Sequence, residues 1–397
     1  MNQPSTTKPR EPQAKGKRFD AVPLLDLGRQ YRDIRTEVLA AIERVCASQS
    51  YVLGPEVEAL ESEVATFTGV SAAVGCASGT DALWLSLLAA GVQPGDAVVT
   101  TPFSFFASAS AIVRAGARPV FADVDPRTLN IDPLKVEARL QQGGSSKVRA
   151  ILPVHLYGQC ADVDGLQRLC DEFKLTMIED AAQAIGATWR DLRAGSLGIA
   201  AAFSFYPSKN LSAYGEAGMV TTRDSDFVDH MRRLRNHGSP QRYHHEEFGW
   251  NCRMDAIQAA ILRVKLPHIE NWNQQRRERA AAYRCLFTEA GLLSRGDSPI
   301  RELETSPHAQ PVFHQYVIRT RRRDELRKFL SDRKIGTEIY YPLPLHLQPC
   351  FAYLGYLEGD LPESERAASE VLALPMFPEL TTEEQRWVVE SIAEFYS

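Results

Sequence analysis

The apolar run "LTMIED" ends on Asp180, and 29 positions later a second apolar run, "AAAFSFY", passes into Lys209 among Ser, Tyr and Gly. A lone carboxylate at the end of a buried strand is costly unless a positive group pairs with it. Taken alone, Asp180 reads as well as the N-cap of the following turn. A lysine in partly apolar surroundings has a lowered pKa and becomes a nucleophile toward an aldehyde, although an isolated loop lysine is ordinarily surface decoration. Together the two supply an amine that can form an imine and a carboxylate that can hold a proton on a heterocyclic nitrogen.

A third feature is "ASGTDAL", Ala77 to Leu83, which sets Ser-Gly-Thr between a strand end and a helix start. Free backbone N–H groups at such a turn, with the helix dipole behind them, form a phosphate cradle, or the turn is a plain helix cap. With Ser204 on the strand before Lys209, the set meets the needs of pyridoxal phosphate: imine partner, ring-nitrogen partner and phosphate donors. No G-x-G-x-x-G follows the first strand and no G-x-x-x-x-G-K-[ST] occurs, so a dinucleotide or nucleoside triphosphate site lacks its fingerprint.

Elements that bring these residues together are legible as alternating units. From Val57 the residues Val57, Leu60, Val64 and Phe67 share a helical face between Pro55 and Gly69, and this helix is expected to open the ordered body. Strands "AAVGCA", "AVVTT", "PVFADV", "VRAILPVH" and "LTMIED" then alternate with helices "TDALWLSLLAAG", "SASAIVRAG", "PLKVEARLQQ" and "DVDGLQRLCDEF". Strands without polar alternation, separated by amphipathic helices, predict a mostly parallel sheet covered on both faces, with ligands beyond the carboxyl ends of its strands. After "YGEAGMVTT" a polar, basic and aromatic stretch leads into a long helix, "DAIQAAILRVKLPHIENWNQQRRERAAAYRCLF", which bridges to a smaller domain. That domain holds the strand "HQYVIRT", the helix "RDELRKFLSDRK", a Pro-rich loop "YYPLPLHLQP" and a terminal helix from Thr382. The expected division is a disordered tail over 1–20, a large cofactor-binding domain with N-terminal helices over 21–262, and the bridging helix with a small C-terminal α/β domain over 263–397.

The chain of 397 residues, 44% hydrophobic and 24% charged, is long enough for two domains with a large core. A net charge of −5 offers no electrostatic reason to expect nucleic acid or an anionic membrane as partner. Seven scattered cysteines (Cys46, Cys76, Cys160, Cys170, Cys252, Cys285 and Cys350) without a C-x-x-C pair read as thiols of a cytoplasmic protein rather than a disulfide framework or zinc site. The first twenty residues are polar and basic and lack the apolar core of a secretory signal, and no stretch reaches the length of a membrane helix.

The stretches "LGPEVEALE", "ASGTDAL", "VHLYGQCADVDGL", "IEDAAQAIGA", "SFYPSKNLSAYGEAG", "HHEEFGWNCRMDAIQAAIL" and "YYPLPLHLQP" closely resemble the sugar aminotransferases of the DegT/DnrJ/EryC1/StrS family, from about Val22 to the C-terminus. The resemblance implies a fold-type I enzyme that carries pyridoxal 5'-phosphate, with pyridoxamine 5'-phosphate as its intermediate form. It moves an amino group from L-glutamate to a keto carbon of a nucleotide-linked sugar, in amino-sugar biosynthesis. The motifs are more similar to the branch acting at C3 than to that acting at C4. Lys209 matches the lysine that binds the cofactor, where the family's dehydratase branch carries histidine. Asp180 matches the carboxylate on the pyridine nitrogen, and Gln183 the glutamine beside the cofactor's O3′. Gly79, Thr80 and Ser204 match the phosphate ligands, and Phe105 the aromatic that stacks on the ring. Asn251 matches an asparagine reaching the phosphate from the neighbouring subunit, so a homodimer with shared active sites is expected.

Other polar residues keep two readings each. His244 and His245 have no metal-ligand partner at helical spacing and read as a loop near the substrate mouth, with no metal site expected. Arg253 either binds a substrate carboxylate or phosphate through its fork or pins its loop. Tyr340, Tyr341 and His346 line the sugar site, or belong to a Pro-rich loop packed on the core. Tyr206 and Tyr214 flank the lysine, placed to assist proton transfer or to hydrogen-bond the sugar. Two rivals share the architecture: a nicotinamide-dependent sugar oxidoreductase, which needs the missing glycine fingerprint, and a non-catalytic regulator, which needs no lysine.

Overall fold

The computed structural model describes residues 19–142, 147–241, 243–293 and 298–397. The first eighteen residues of the expected disordered tail therefore lie outside the described residues. In chain order the elements of the first part are α1 Leu27–Ser48, α2 Pro55–Thr68, β1 Ala72–Cys76, α3 Gly79–Ala89, β2 Ala97–Thr100, α4 Ala107–Arg114, β3 Arg118–Phe121, α5 Pro133–Gln142, β4 Val148–Leu152, α6 Val163–Phe173 and β5 Thr176–Asp180. There follow β6 Thr188–Trp189, β7 Leu192–Arg193, β8 Ala200–Ser204, β9 Gly218–Thr222, α7 Ser225–Leu234, α8 Ala256–Lys265 and α9 Ile269–Glu289. The last part holds β10 Arg301–Glu302, β11 Ala309–Gln310, β12 Tyr316–Arg319, α10 Arg323–Asp332, α11 Pro362–Glu370, β13 Val371–Leu374 and α12 Thr382–Tyr396.

Seven strands form the central sheet in the order β1-β9-β8-β5-β4-β2-β3. Pairings among β8, β5, β4, β2 and β3 are parallel, and β9 runs antiparallel between β8 and β1. Successive strand residues divide between two cores. Val98, Ala150, Leu152, Ile178, Ala200, Ala202 and Val220 pack with α3, α4 and α7 on one face. Val99, Ile151, Met177, Ala201, Phe203 and Met219 pack with α1, α2, α6 and α8 on the other. Both faces are apolar because side chains alternate and both are covered, which is why these strands read as unbroken hydrophobic runs.

Two expectations are corrected. The body does not open at α2: α1 precedes it, capped by Asp26 and burying Ile34, Val38, Ala41 and Val45, and it packs on α8. This stripe of one residue per turn is narrow and was hidden in a segment otherwise rich in charge. The long bridging helix is two helices, α8 and α9, joined by a tight turn at Leu266–His268. Pro267 lies in that turn and has no N–H to donate to an α-helical ladder.

A third core gathers α9, α10, α12 and the sheet β10-β12-β13, and it includes Val22 and Tyr157 from the first part of the chain. Val22 bridges to Ile335, so the segment before α1 is tied to the C-terminal layer. Among the described residues no helix is long and apolar enough to cross a membrane, and no His, Cys, Asp and Glu group is arranged to hold a metal. All seven cysteines are unpaired, with four of them buried.

Candidate active site

Asp180 and Ser204 end adjacent parallel strands on the carboxyl side of the sheet, and Lys209 follows in the turn that β8 feeds. Phe205 N–H donates to Ala217, Ala213 N–H to Phe205 and Lys209 N–H to Tyr206, which closes the lysine-bearing loop on itself. Two close approaches fix α3 against these strands. A Cβ on Gly79 would lie 2.5 Å from the Ser204 Cβ, and one on Gly218 would lie 2.2 Å from the Ser78 carbonyl oxygen. Glycine at both positions lets the first turn of α3 rest on the strand ends. Ser78 Oγ caps Asp81 N–H at 3.1 Å. The N–H groups of Gly79 and Thr80, which no carbonyl of the helix can reach, stand at its N-terminus beside Ser204.

These parts surround one cavity of about 540 Å³, lined among others by Gly79, Thr80, Phe105, Asp180, Gln183, Ser204, Tyr206, Lys209, Tyr340 and Tyr341. Ten of the expected residues thus meet there. Asp180 is 4% exposed, and its carboxylate accepts from Ser108 Oγ at 2.7 Å and from Ala182 N–H at 3.2 Å. Burial raises its pKa against the pull of those bonds and of Lys209, so the site favours a cation against this carboxylate. Lys209 is pushed down to about 8 by burial, with Asp180 acting the other way. Gln183 is held from both sides: its Oε1 accepts from Tyr157 N–H at 2.6 Å and its Nε2 donates to Tyr341 Oη at 3.1 Å. Phe105 is 59% exposed and its ring centroid lies 6.3 Å from that of Tyr341.

Four expected residues stay outside this cavity. His346 is 1% exposed and bonded to Glu365 at 3.0 Å, a packed residue of the loop rather than part of the cavity wall. Tyr214 stands beside Lys265 and Tyr31 and does not line the cavity. Asn251 is exposed and bridges Asn236 in an antiparallel pair, and Arg253 donates to Asn236 Oδ1 at 3.1 Å, so both sit on the loop that leaves α7. His245 is on the same loop, its Nδ1 2.8 Å from the His237 carbonyl oxygen.

Sequence reading missed the groups behind Asp180. Ser108, itself 2.8 Å from Ser104, orients the carboxylate. His155 takes Ala161 N–H at Nδ1 (3.1 Å), so its proton sits on Nε2, which donates to Glu179 at 3.0 Å. Glu179, fully buried, also accepts the N–H groups of Gly195, Leu197 and Gly198. His155 N–H in turn donates to the Asp180 carbonyl, which locks the end of β5. The signal was the pair "VHLYG" and "IED": polar residues at the carboxyl ends of neighbouring strands have to satisfy one another.

A model of the DegT/DnrJ/EryC1/StrS aminotransferase family matches residues 32–393. A Geobacillus stearothermophilus protein named pleiotropic regulatory protein is 50% identical over 94% of this chain and 98% of its own length. The dTDP-3-amino-3,4,6-trideoxy-alpha-D-glucose transaminase of Streptomyces venezuelae is 44% identical over 94% of this chain and 96% of its own. Among solved structures, S. venezuelae DesV in complex with ketimine intermediate superposes with a TM-score of 0.89 at 43% identity, covering 94% of this chain and 98% of that one.

Proposed function

The chain belongs to the DegT/DnrJ/EryC1/StrS aminotransferase family, and on that premise we propose that it transfers the amino group of L-glutamate to C3, in preference to C4, of a nucleotide-linked keto sugar. It is a nucleotide-sugar aminotransferase that depends on pyridoxal phosphate. The observation that carries the site assignment is the convergence of Asp180, Lys209 and the N-terminus of α3 on one cavity. Preference for C3 is supported by the 3-amino product in the name of the S. venezuelae relative.

When bound, pyridoxal phosphate supplies an aldehyde carbon that takes up amines and a protonated ring that draws electrons. The residues present fit such a group. Gly79 and Thr80 N–H groups with the Ser204 hydroxyl receive the phosphate, at a helix end whose dipole favours the anion. Asp180, buried and oriented by Ser108, holds the proton on the ring nitrogen. With the cofactor bound, Gln183, its Oε1 taken by Tyr157 and one Nε2 hydrogen by Tyr341, would offer the other Nε2 hydrogen to the ring oxygen, and Phe105 would supply the aromatic contact to the ring. Lys209 Nζ, at about 8, carries a usable free-amine fraction near neutral pH, takes a proton from carbon and returns it. Tyr206, Tyr340 and Tyr341 face the sugar. Asn251 and Arg253 serve the cavity of a second copy, which makes a homodimer the working unit. The 93% exposure of Phe248 on their loop suits burial in that partner.

The test is a panel of dTDP- and UDP-linked 3-keto and 4-keto sugars incubated with glutamate, with the product's new C–N bond located by NMR. Nitrogen at C3 is expected, and amination confined to 4-keto substrates overturns the regiochemical assignment. The name of the G. stearothermophilus relative supports a second reading, a regulatory role on the same fold. Purified protein with the visible absorbance of a lysine-bound cofactor supports the enzyme. Colourless protein that stays inactive with added cofactor supports the regulator.

A further inference from the structure

Behind the turn that carries Lys209 runs a line of amides whose hydrogen-bond directions are set by backbone carbonyls. Asn273, buried on α9, donates through Nδ2 to the Ile185 carbonyl at 2.9 Å. It has room because residue 186 is glycine, where a Cβ would stand 2.5 Å from that same Nδ2. Asn273 Oδ1 therefore turns to Asn210 and accepts from its Nδ2 at 2.8 Å, and this Nδ2 also donates to the Val312 carbonyl at 3.3 Å. With both N–H groups of Asn210 committed, only its Oδ1 is left to face His314 Nδ1, 3.2 Å away. The ring proton of His314 must then sit on Nδ1, and Nε2 is left as a lone-pair acceptor. His314 is 8% exposed and lines the cavity with Lys209.

We propose that His314 is a positioning residue for Lys209: fixed by Asn210 with its proton on Nδ1, it offers Nε2 to the lysine ammonium whenever that amine is not bonded to cofactor or substrate. This rests on the assignment of Lys209 as the cofactor lysine. An ammonium in a buried site is destabilised unless acceptors meet its N–H groups, and a histidine protonated on Nε2 would repel it. Burial, and then the charges of Lys209 and Arg276, hold the imidazole well below the ordinary histidine range, so it stays an acceptor through neutral pH. The other titratable groups lining the cavity around Lys209 are Asp180, Glu216, Tyr206, Tyr340 and Tyr341, while Arg276 acts on His314 from α9.

Two measurements on the full-length protein test this. Nitrogen-15 histidine NMR should show His314, identified by its loss in His314→Asn, with the proton on Nδ1 and no titration between about pH 6 and 8.5. A proton on Nε2, or a titration in that window, overturns the proposal. The pH midpoint for acylation of Lys209 in the cofactor-free protein, read by peptide mass spectrometry, should fall about one unit in His314→Asn, a roughly tenfold change in proton affinity. The variant keeps a donor toward Asn210 but has no atom at the Nε2 position, and His314→Gln, whose side chain reaches it, should return the midpoint most of the way to the wild-type value. An unchanged midpoint overturns the proposal. Should His314→Asn fail to fold, Asn210→Ala, which frees the ring to change tautomer, is read by the same NMR and midpoint. Whether the cofactor sits on Lys209 at all is settled separately by borohydride reduction and peptide mapping of the holoenzyme, so the two failures are distinguishable.

Discussion

Lys265→Met probes a second buried lysine, on which the loop carrying Lys209 leans. Lys265 ends α8 at 1% exposure, and its Nζ donates to the Ser212 carbonyl at 2.8 Å and to Ser212 Oγ at 2.9 Å, 4.3 Å from the centre of the Tyr214 ring. A neutral amine still makes both bonds, and burial lowers the pKa from the ordinary 10.5 to about 7. Unfolded chains hold the extra proton throughout that window, so the unfolded state binds more protons and stability rises with pH across it. The penalty on the native state is absent above the unfolded pKa, grows by about 1.4 kcal/mol for each pH unit below it, and saturates below the folded pKa at roughly 5 kcal/mol. Methionine removes the titration and fills the space, but strips Ser212 of its donor, a cost of about 1–3 kcal/mol at every pH. Urea unfolding of both proteins at fixed concentration, from about pH 7.5 to 9.5, should show the wild type gaining on the variant by up to about 1.4 kcal/mol per unit. Lys209 titrates in both proteins and cancels. Stability curves that stay parallel within about 0.5 kcal/mol would mean that Lys265 is charged in the fold, and would falsify the linkage.

Asp180→Asn should fold normally, because the amide can accept from Ala182 N–H and donate to Ser108 Oγ. It should nevertheless slow proton abstraction by about 10²–10⁴-fold, whereas a rate within about threefold of wild type would reduce Asp180 to a cap. Lys209→Ala should leave a folded dimer without turnover, and Asn251→Ala a dimer that loses cofactor on dialysis. Mixed together, the two variants should regain activity above the sum of the separate homodimers, because one hybrid pocket then combines the intact lysine with the partner's intact asparagine. Confirmed subunit exchange without recovery would place Asn251 in its own chain's site.

Strand and helix order from α2 to β5, and the placing of Asp180, Ser204 and Lys209 at one edge, were determined by the sequence alone. Strands buried on both faces must be apolar throughout, and a charge at their carboxyl ends stands out against that background. The same contrast marked Ser-Gly-Thr at the start of α3. Tertiary structure alone decided that β9 inserts antiparallel between β1 and β8, since a strand's own residues do not say which neighbours it takes. It decided that His346 and Tyr214 fall outside the cavity while Tyr340 and Tyr341 line it, because adjacent positions of an irregular loop carry no periodicity from which orientation can be read. Polar partnerships were the least legible. Asn210 meets Asn273 and His314 across 63 and 104 positions, and Glu179 collects donors from a turn 16 to 19 positions on. A buried polar group demands a partner without specifying where in the chain that partner lies, so the proton positions on His155 and His314 follow from the fold alone.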